Sequence, residues 1–569
     1  MNKVMNLFII IILFINVFLL TSCNYHIHFL GEWLSNDSNH WKECVCGEKA
    51  YDEAHRYDDG TIIKEATCTM EGIKEYKCIS CEKMKEEKID KISHSYLDGK
   101  CTLCNIDELP YELEFELSND ETYYILVDID VISEIKFDVV IPTTYNELPV
   151  KSIGDYAFDG CYYLISIEIP NSITNIGEQA FAYCDNLTSI KIPDSVTTIN
   201  YAMFANCKSL TSVEISNNAK GIDEYAFYNC PSLKSIVIPS TVTSIEENAF
   251  NKCIGLEEVL FEENSQLTSI ASGVFAGCTS LKNIIIPSGV IGIGNEVFYN
   301  CTNLENITLP KTLTIIGGAA FQNCTSLISI EIPNSVEKII DLSFTECINL
   351  KEVIFEEDSE LKEINEGLFL KCTNLERINI PRGVKYIDVN AFYECTNLKK
   401  VVISNTVTSI HEKAFYCCSN LSELIFEENS QLKWIEDAAF LLCEKLEKVQ
   451  IPSSVTSIGE EVFAECISLK EVVFEENSQL KSIDCAAFAY CSIESIDLPK
   501  GLTDLEECVF YDCKKLKNII IPISVKNVSE EVFSGCSNLT IYCEAEEKPK
   551  GWSYDWNSSN CPVVWGYKK

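Results

Sequence analysis

The chain has 569 residues, 46% of them hydrophobic, and a formal net charge of −41 at pH 7. That apolar share excludes wholesale disorder, and the length excludes a single ordinary domain unless the chain is a repeat array. The charge excludes nucleic acid as a partner; it favours cationic partners or divalent cations, or simply keeps a long, sticky molecule soluble.

The first element is an apolar run at residues 7–20, preceded by Lys3 and broken only by Asn16. It is shorter than the roughly 20 residues that span a bilayer and suits the hydrophobic stretch of a signal peptide. Leu20-Thr21-Ser22-Cys23 follows directly and resembles the lipobox of bacterial lipoproteins. The resemblance implies a signal peptide at 1–22 and a diacylglycerol on Cys23. It implies that the mature chain is anchored by that lipid alone on the extracellular face of the bacterial cell membrane. An ordinary signal peptide followed by a chance cysteine is the alternative.

Residues 23–105 form a predicted Cys/His-rich module. His40, Cys44 and Cys46 are followed by His55, Cys68, Cys78-x-x-Cys81, His94 and Cys101-x-x-Cys104. Two C-x-x-C knuckles at this separation can hold one zinc through Cys78, Cys81, Cys101 and Cys104. His40, Cys44, Cys46 and His55 can make a second, mixed site. Histidine among the cysteines favours structural zinc; disulfides are the competing chemistry in an oxidising exterior. The segment loosely resembles small Cys/His modules of bacterial surface proteins.

After a predicted N-terminal cap at 106–150, seventeen Phe-x-x-Cys motifs recur from Phe158 to Cys536. Their period is 23 residues, stretched to 25 in four units and shortened to 22 in one. A fixed period of this size predicts a solenoid, 151–536, in which each unit buries its apolar face by stacking on its neighbours. One unit, residues 187–207, reads LTSIKIPDSVTTINYAMFANC. Leu187, Ile190 and Ile192 face one way in an extended stretch that Pro193 ends. Val196 and Ile199 follow, then a short helical or irregular turn around Phe204, closed by Cys207. Asn or Ser two residues past the Cys, as at Asn186 and Ser232, can satisfy backbone groups in a tight corner. The longer units carry an extra loop, Phe261-Glu262-Glu263-Asn264-Ser265-Gln266-Leu267, with counterparts at Phe426, Phe474 and Phe355. The acidic pairs read as a solvated edge.

This consensus resembles the BspA-like class of leucine-rich repeats over about residues 141–536, with residues 141–150 similar to the lead-in turn of such proteins. The resemblance implies an α/β repeat: a leucine-rich-repeat solenoid with a parallel concave sheet. At about 4.8 Å per coil the array is roughly 80 Å long. It also implies a surface-exposed protein, since some relatives bind host matrix proteins or mediate adhesion.

Residues 537–569, with Trp552, Trp556 and Trp565, read as a C-terminal cap over the last coil; an aromatic carbohydrate platform is the other reading. The seventeen repeat cysteines would stack with parallel side chains, a poor disulfide geometry, and are expected to form a buried thiol ladder. Cys543 and Cys561 could bridge within the cap. Cys417, Cys485 and Cys508 lie outside the ladder.

No catalytic constellation emerges. Only His411 falls in the repeats, at a solvated corner, and the acidic residues do not face across a cleft. An enzyme is therefore not expected, and no catalytic cofactor with it. Binding residues are sought among the strand positions that point away from the core. Several are apolar there: Val237, Leu260, Ile285, Ile354, Val402 and Ile425. Strand propensity alone explains single cases, but a run on consecutive coils would make an exposed patch for a partner. The expected function is a cell-surface binding or adhesion protein recognising extracellular proteins or glycans. The alternatives are a non-binding spacer and a lipoprotein that captures metal or cations.

Overall fold

In the strand Ser235–Ile238, Ile236 and Ile238 are buried while Ser235 and Val237 face solvent. This is the two-residue period of a strand with one face in a core. The computed structural model describes residues 30–35, 39–44, 49–66, 72–89, 96–97, 100–101, 110–132 and 135–568. These fall into two units, Met1–Leu109 and Pro110–Lys569. The signal-peptide segment and Cys23 lie outside the described residues, as do Cys46, Cys68, His94, Cys104 and the side chains of His40, Cys44 and Cys101.

The second unit is a three-walled β-solenoid. Its first wall stacks the longer strands in parallel and in register: Ile236 pairs with Val259 and Val237 with Leu260. The second stacks two-residue strands such as Thr198–Ile199, Gly221–Ile222 and Ser244–Ile245. Nine of these pair in one continuous run from Glu363–Ile364 to Gly551–Trp552. The third wall is the Phe-x-x-Cys segment, and here the expectation of an α/β repeat is corrected: the described residues of the solenoid contain no helix.

A reason lies in the backbone. The residues two before and two after each Phe take the left-handed conformation, as at Gln179 (φ 52°) and Tyr183 (φ 57°) around Phe181. Two such residues interrupt any helical run. They also aim alternate N–H groups at the next coil. Gln179 donates to the carbonyl of Tyr201, Phe181 to that of Met203 and Tyr183 to that of Ala205, at 2.8–2.9 Å. The polar backbone of the turn is thus satisfied between coils, as in a sheet, rather than along the chain as in a helix. A non-glycine residue held left-handed costs on the order of 1 kcal/mol, and inter-coil bonding sustains it.

Inside the walls the Phe rings form one continuous stack from Phe158 to Phe533, fully buried. Successive centroids lie between 4.8 and 5.8 Å apart. At the N-terminal edge, Tyr111–Leu117 pairs antiparallel with Tyr124–Val131, which pairs in turn parallel with Leu148–Ile153. At the other end, Gly551–Trp552 and Val563–Trp565 continue both strand ladders. Trp556 takes the place of the Phe, its ring edge-on to Phe533 at 6.0 Å. The expected Cys543–Cys561 bridge does not form: both are thiols. Cys561 instead donates to the carbonyl of Cys536 at 3.2 Å. Its sulfur thereby continues the inter-coil thiol-to-carbonyl contacts.

The first unit is built of small antiparallel sheets. Leu30–Ser35, Asn39–Cys44 and Lys49–Ala54 make one, and Thr61–Lys64, Gly72–Lys77 and Met84–Ile89 another. Tyr96–Leu97 pairs with Lys100–Cys101.

Candidate binding face and candidate metal site

The outward positions of the long strands form a row, one per coil, that begins Glu168, Lys191, Glu214, Val237, Leu260, Ile285 and Thr308. All seven of these side chains are solvent-exposed. Lys191 and Glu214 neutralise one another across neighbouring strands at 2.5 Å. The next three coils place Val237, Leu260 and Ile285 side by side, 47%, 46% and 69% exposed. Leu260 and Ile285 border an open depression of about 640 Å³, with Phe261, Pro287, Glu262 and Lys282 among its other walls. Of the remaining apolar positions, Val402 and Ile425 are adjacent, Val402 half-buried and Ile425 exposed. Ile354 is exposed between Glu331 and Asn379. The three-coil run is therefore the longest stretch among the six named positions.

The acidic loops beside this face have a role that the sequence did not disclose. The first Glu of each pair accepts a backbone hydrogen bond from the preceding coil. Ser240 N–H donates to Glu262 at 2.9 Å and Ser453 N–H to Glu475 at 2.9 Å. Asn334 and Asn405 do the same to Glu356 and Glu427 at 3.2 Å. An otherwise orphaned donor at the corner is thus capped by a carboxylate, as at a helix start. The signal was present in the sequence as a Glu recurring directly after Phe261, Phe355, Phe426 and Phe474. The polar corner residues meet expectation: Asn186 donates to the Tyr162 carbonyl and Ser232 to that of Lys208, each at 2.6 Å.

The repeat thiols are hydrogen-bond donors. Cys301 gives its S–H to the carbonyl of Phe275 at 3.2 Å and Cys324 to that of Phe298 at 3.2 Å; the contact recurs along the ladder, as far as Cys536 and Phe510. Burial pushes the thiols of Cys301, Cys347 and Cys466 up to about 12, because a thiolate there would be stripped of water. His411 lies at a corner with Nδ1 3.0 Å from Glu436 and its ring 6.0 Å from that of Tyr386.

In the first unit, His55, Cys78 and Cys81 converge, with all their ligand atoms within 4.8 Å of one another. Cys78 and Cys81 sit on the turn joining Gly72–Lys77 to Met84–Ile89. His55 arrives from the neighbouring segment, whose Tyr57 bridges Cys78. His55 Nδ1 stands 3.4 Å from the Cys81 sulfur. Burial raises the Cys78 thiol. Hydrogen bonds from His55, from the backbone N–H groups of Cys81 and Ser80 and from the Cys81 side chain outweigh it and bring Cys78 to about 6. Cys81 is pushed up, first by burial, relieved in part by the Lys83 N–H, and further by neighbouring Cys78. The sequence spacing grouped His55 with His40, Cys44 and Cys46. The structure brings it to the Cys78–Cys81 pair.

Residues 151–267, 255–372, 362–479 and 469–543 match the family described as BspA type leucine rich repeat region. No curated protein matches the chain. Among solved structures, a leucine-rich repeat protein from Bacteroides ovatus is 28% identical, covering 80% of this chain and 98% of its own, with a TM-score of 0.49. A leucine rich cell surface protein from Faecalibacterium prausnitzii is 24% identical, covering 84% and 99%, with a TM-score of 0.35. The pneumococcal vaccine antigen PcpA is 18% identical, covering 81% and 98%, with a TM-score of 0.31.

Proposed function

The chain belongs to the BspA-type leucine-rich-repeat family, and on that premise we propose that it is a cell-surface recognition protein that binds an extracellular protein through its long-strand sheet. The observation that carries this reading is the run of Val237, Leu260 and Ile285 exposed on three successive coils. Apolar side chains held on a rigid sheet are costly to leave in water and gain on being covered. Glu257, Glu258, Glu262 and Glu263 stand beside the run, so the partner that fits has an apolar centre and a basic rim. A glycan would use the polar edge of the same depression. Residues 7–23 support export and a lipid on Cys23 as the means of holding the molecule at the outer face of the membrane. The recognition reading also makes the protein a non-enzymatic one.

The test measures binding of the purified chain to immobilised matrix proteins and to a glycan array, beside a Leu260→Asp/Ile285→Asp variant. Both positions are surface-exposed, so the variant should melt with the parent. Saturable protein binding weakened at least tenfold in the variant is the expected result, from two apolar anchors worth about 1 kcal/mol or more each. Equal binding by both chains would move recognition off this face.

A further inference from the structure

The convergence of His55, Cys78 and Cys81 lies in the unit apart from the solenoid and does not depend on the recognition reading. Its geometry is specific. The turn from Cys78 to Lys83 is closed by Cys78 N–H to the Lys83 carbonyl at 2.8 Å and by Glu82 N–H to the Cys78 carbonyl at 3.0 Å. Glu82 holds a left-handed conformation, φ 63°, which turns the chain sharply just after the second cysteine. Ile79 N–H donates to the Arg56 carbonyl at 2.9 Å, fastening the turn to the segment that carries His55.

The donor set also selects the ion. Two thiolates and an imidazole are a soft, borderline set that suits zinc and does not suit calcium or magnesium. In a tetrahedral zinc site, bond lengths of about 2.3 Å to sulfur and 2.0–2.1 Å to nitrogen put those donors about 3.6 Å apart. His55 Nδ1 and Cys81 Sγ stand at 3.4 Å. The cysteines come from a single hairpin turn and the histidine from outside it, so an ion at this point cross-links two segments of the chain.

We propose that His55, Cys78 and Cys81 bind one zinc ion, a Cys2His site that ties the segment at 55–57 to the hairpin turn at 78–83. The partition differs from the one that sequence spacing suggested: this histidine belongs with this C-x-x-C pair. The three donors leave one tetrahedral position for a further ligand or water. The donors bind the ion in their deprotonated forms, so binding strengthens as pH rises.

The test uses the purified full chain, loaded with zinc and dialysed, with metal content measured by elemental analysis. Cys81→Ser and His55→Ala are each expected to carry one zinc equivalent fewer than the parent, with unchanged melting of the solenoid. Cobalt(II) is the second probe. The parent should show thiolate-to-cobalt charge transfer and tetrahedral ligand-field bands; Cys81→Ser should lose the contribution of this site. His55→Cys keeps three donors, so it should retain the ion with shifted bands, which separates loss of a ligand from loss of the local fold. Equal zinc content and identical cobalt spectra in the parent and Cys81→Ser would overturn the proposal. So would a Cys78–Cys81 disulfide in the chain isolated without reductant.

Discussion

Cys78 and Cys301 are both buried thiols of one chain, yet their surroundings drive them in opposite directions. Cys78 receives hydrogen bonds from His55 and from two peptide N–H groups, and these bring it down to about 6 in spite of burial. Cys301 gives its own S–H to the Phe275 carbonyl at 3.2 Å, and burial drives it up to about 12. A sulfur that accepts is prepared to become a thiolate; a sulfur that donates is prepared to stay a thiol. The first suits chemistry or metal, and the second suits a core. Counting cysteines cannot separate the two, whereas the direction of the hydrogen bond does.

The sharpest way to break that comparison is alkylation. With metal removed by chelator, iodoacetamide at pH 7 should modify Cys78, the thiol brought down to about 6, while the repeat thiols remain unlabelled. The thiolate is the nucleophile, and the repeat thiols hold a vanishing fraction of it, so a rate ratio above about 10³ is expected. Peptide mass spectrometry reads the sites. Labelling of Cys301 or Cys324 in folded protein at a comparable rate would remove the distinction.

The second effect is thermodynamic. In the unfolded chain a repeat thiol ionises near its usual 9; in the fold, Cys301, Cys347 and Cys466 hold their protons to about 12. Above pH 9 the unfolded state therefore binds fewer protons than the folded one. The stability present below 9 is lost as pH rises toward 12, by about 1.4 kcal/mol per pH unit for each such thiol. Urea midpoints followed by circular dichroism should fall steeply between pH 9 and 12, and less steeply in a Cys301→Ala/Cys347→Ala chain. Identical slopes in the two chains would show that the ladder does not carry the pH dependence.

The sequence made the repeat legible because seventeen Phe and Cys positions at one period admit only a stack. It also placed the outward strand positions, since alternation in a stretch such as Ser235–Ile238 fixes which side chains face out. The turn around each Phe was not legible as non-helical. Its left-handed residues include Gln179, Tyr183, Leu342 and Lys371, types that carry no turn signal, and inter-coil bonds rather than local propensity hold them there. The carboxylate caps at Glu262 and Glu475 were hidden for a related reason: their donors, Ser240 and Ser453, lie 22 residues away in sequence. In the N-terminal unit, spacing identified Cys78 and Cys81 as a pair. It grouped His55 with His40, Cys44 and Cys46, whose side chains lie outside the described residues. That His55 also meets Cys78 and Cys81 follows from the antiparallel bridge from Tyr57 to Cys78, which spacing along the chain does not show.

The smallest effect is the most discriminating about the ladder itself. Cys324 contributes sulfur volume to a closed core and an S–H to the Phe298 carbonyl at 3.2 Å. Cys324→Ala removes both, whereas Cys324→Ser removes the volume and keeps a donor at the same place. If the ladder were packing alone, the buried hydroxyl would make the serine chain the less stable of the two, since desolvating a hydroxyl is costly. If the inter-coil hydrogen bond contributes, serine should exceed alanine by about 0.5–1.5 kcal/mol. Equilibrium unfolding in urea at pH 7, where neither variant adds a titrating group, reads the difference directly. Serine above alanine would fix the repeat cysteine as a donor chosen for its proton. Alanine above serine would reduce it to a small apolar filler, and the contrast with Cys78 would then rest only on the hydrogen bonds that Cys78 receives.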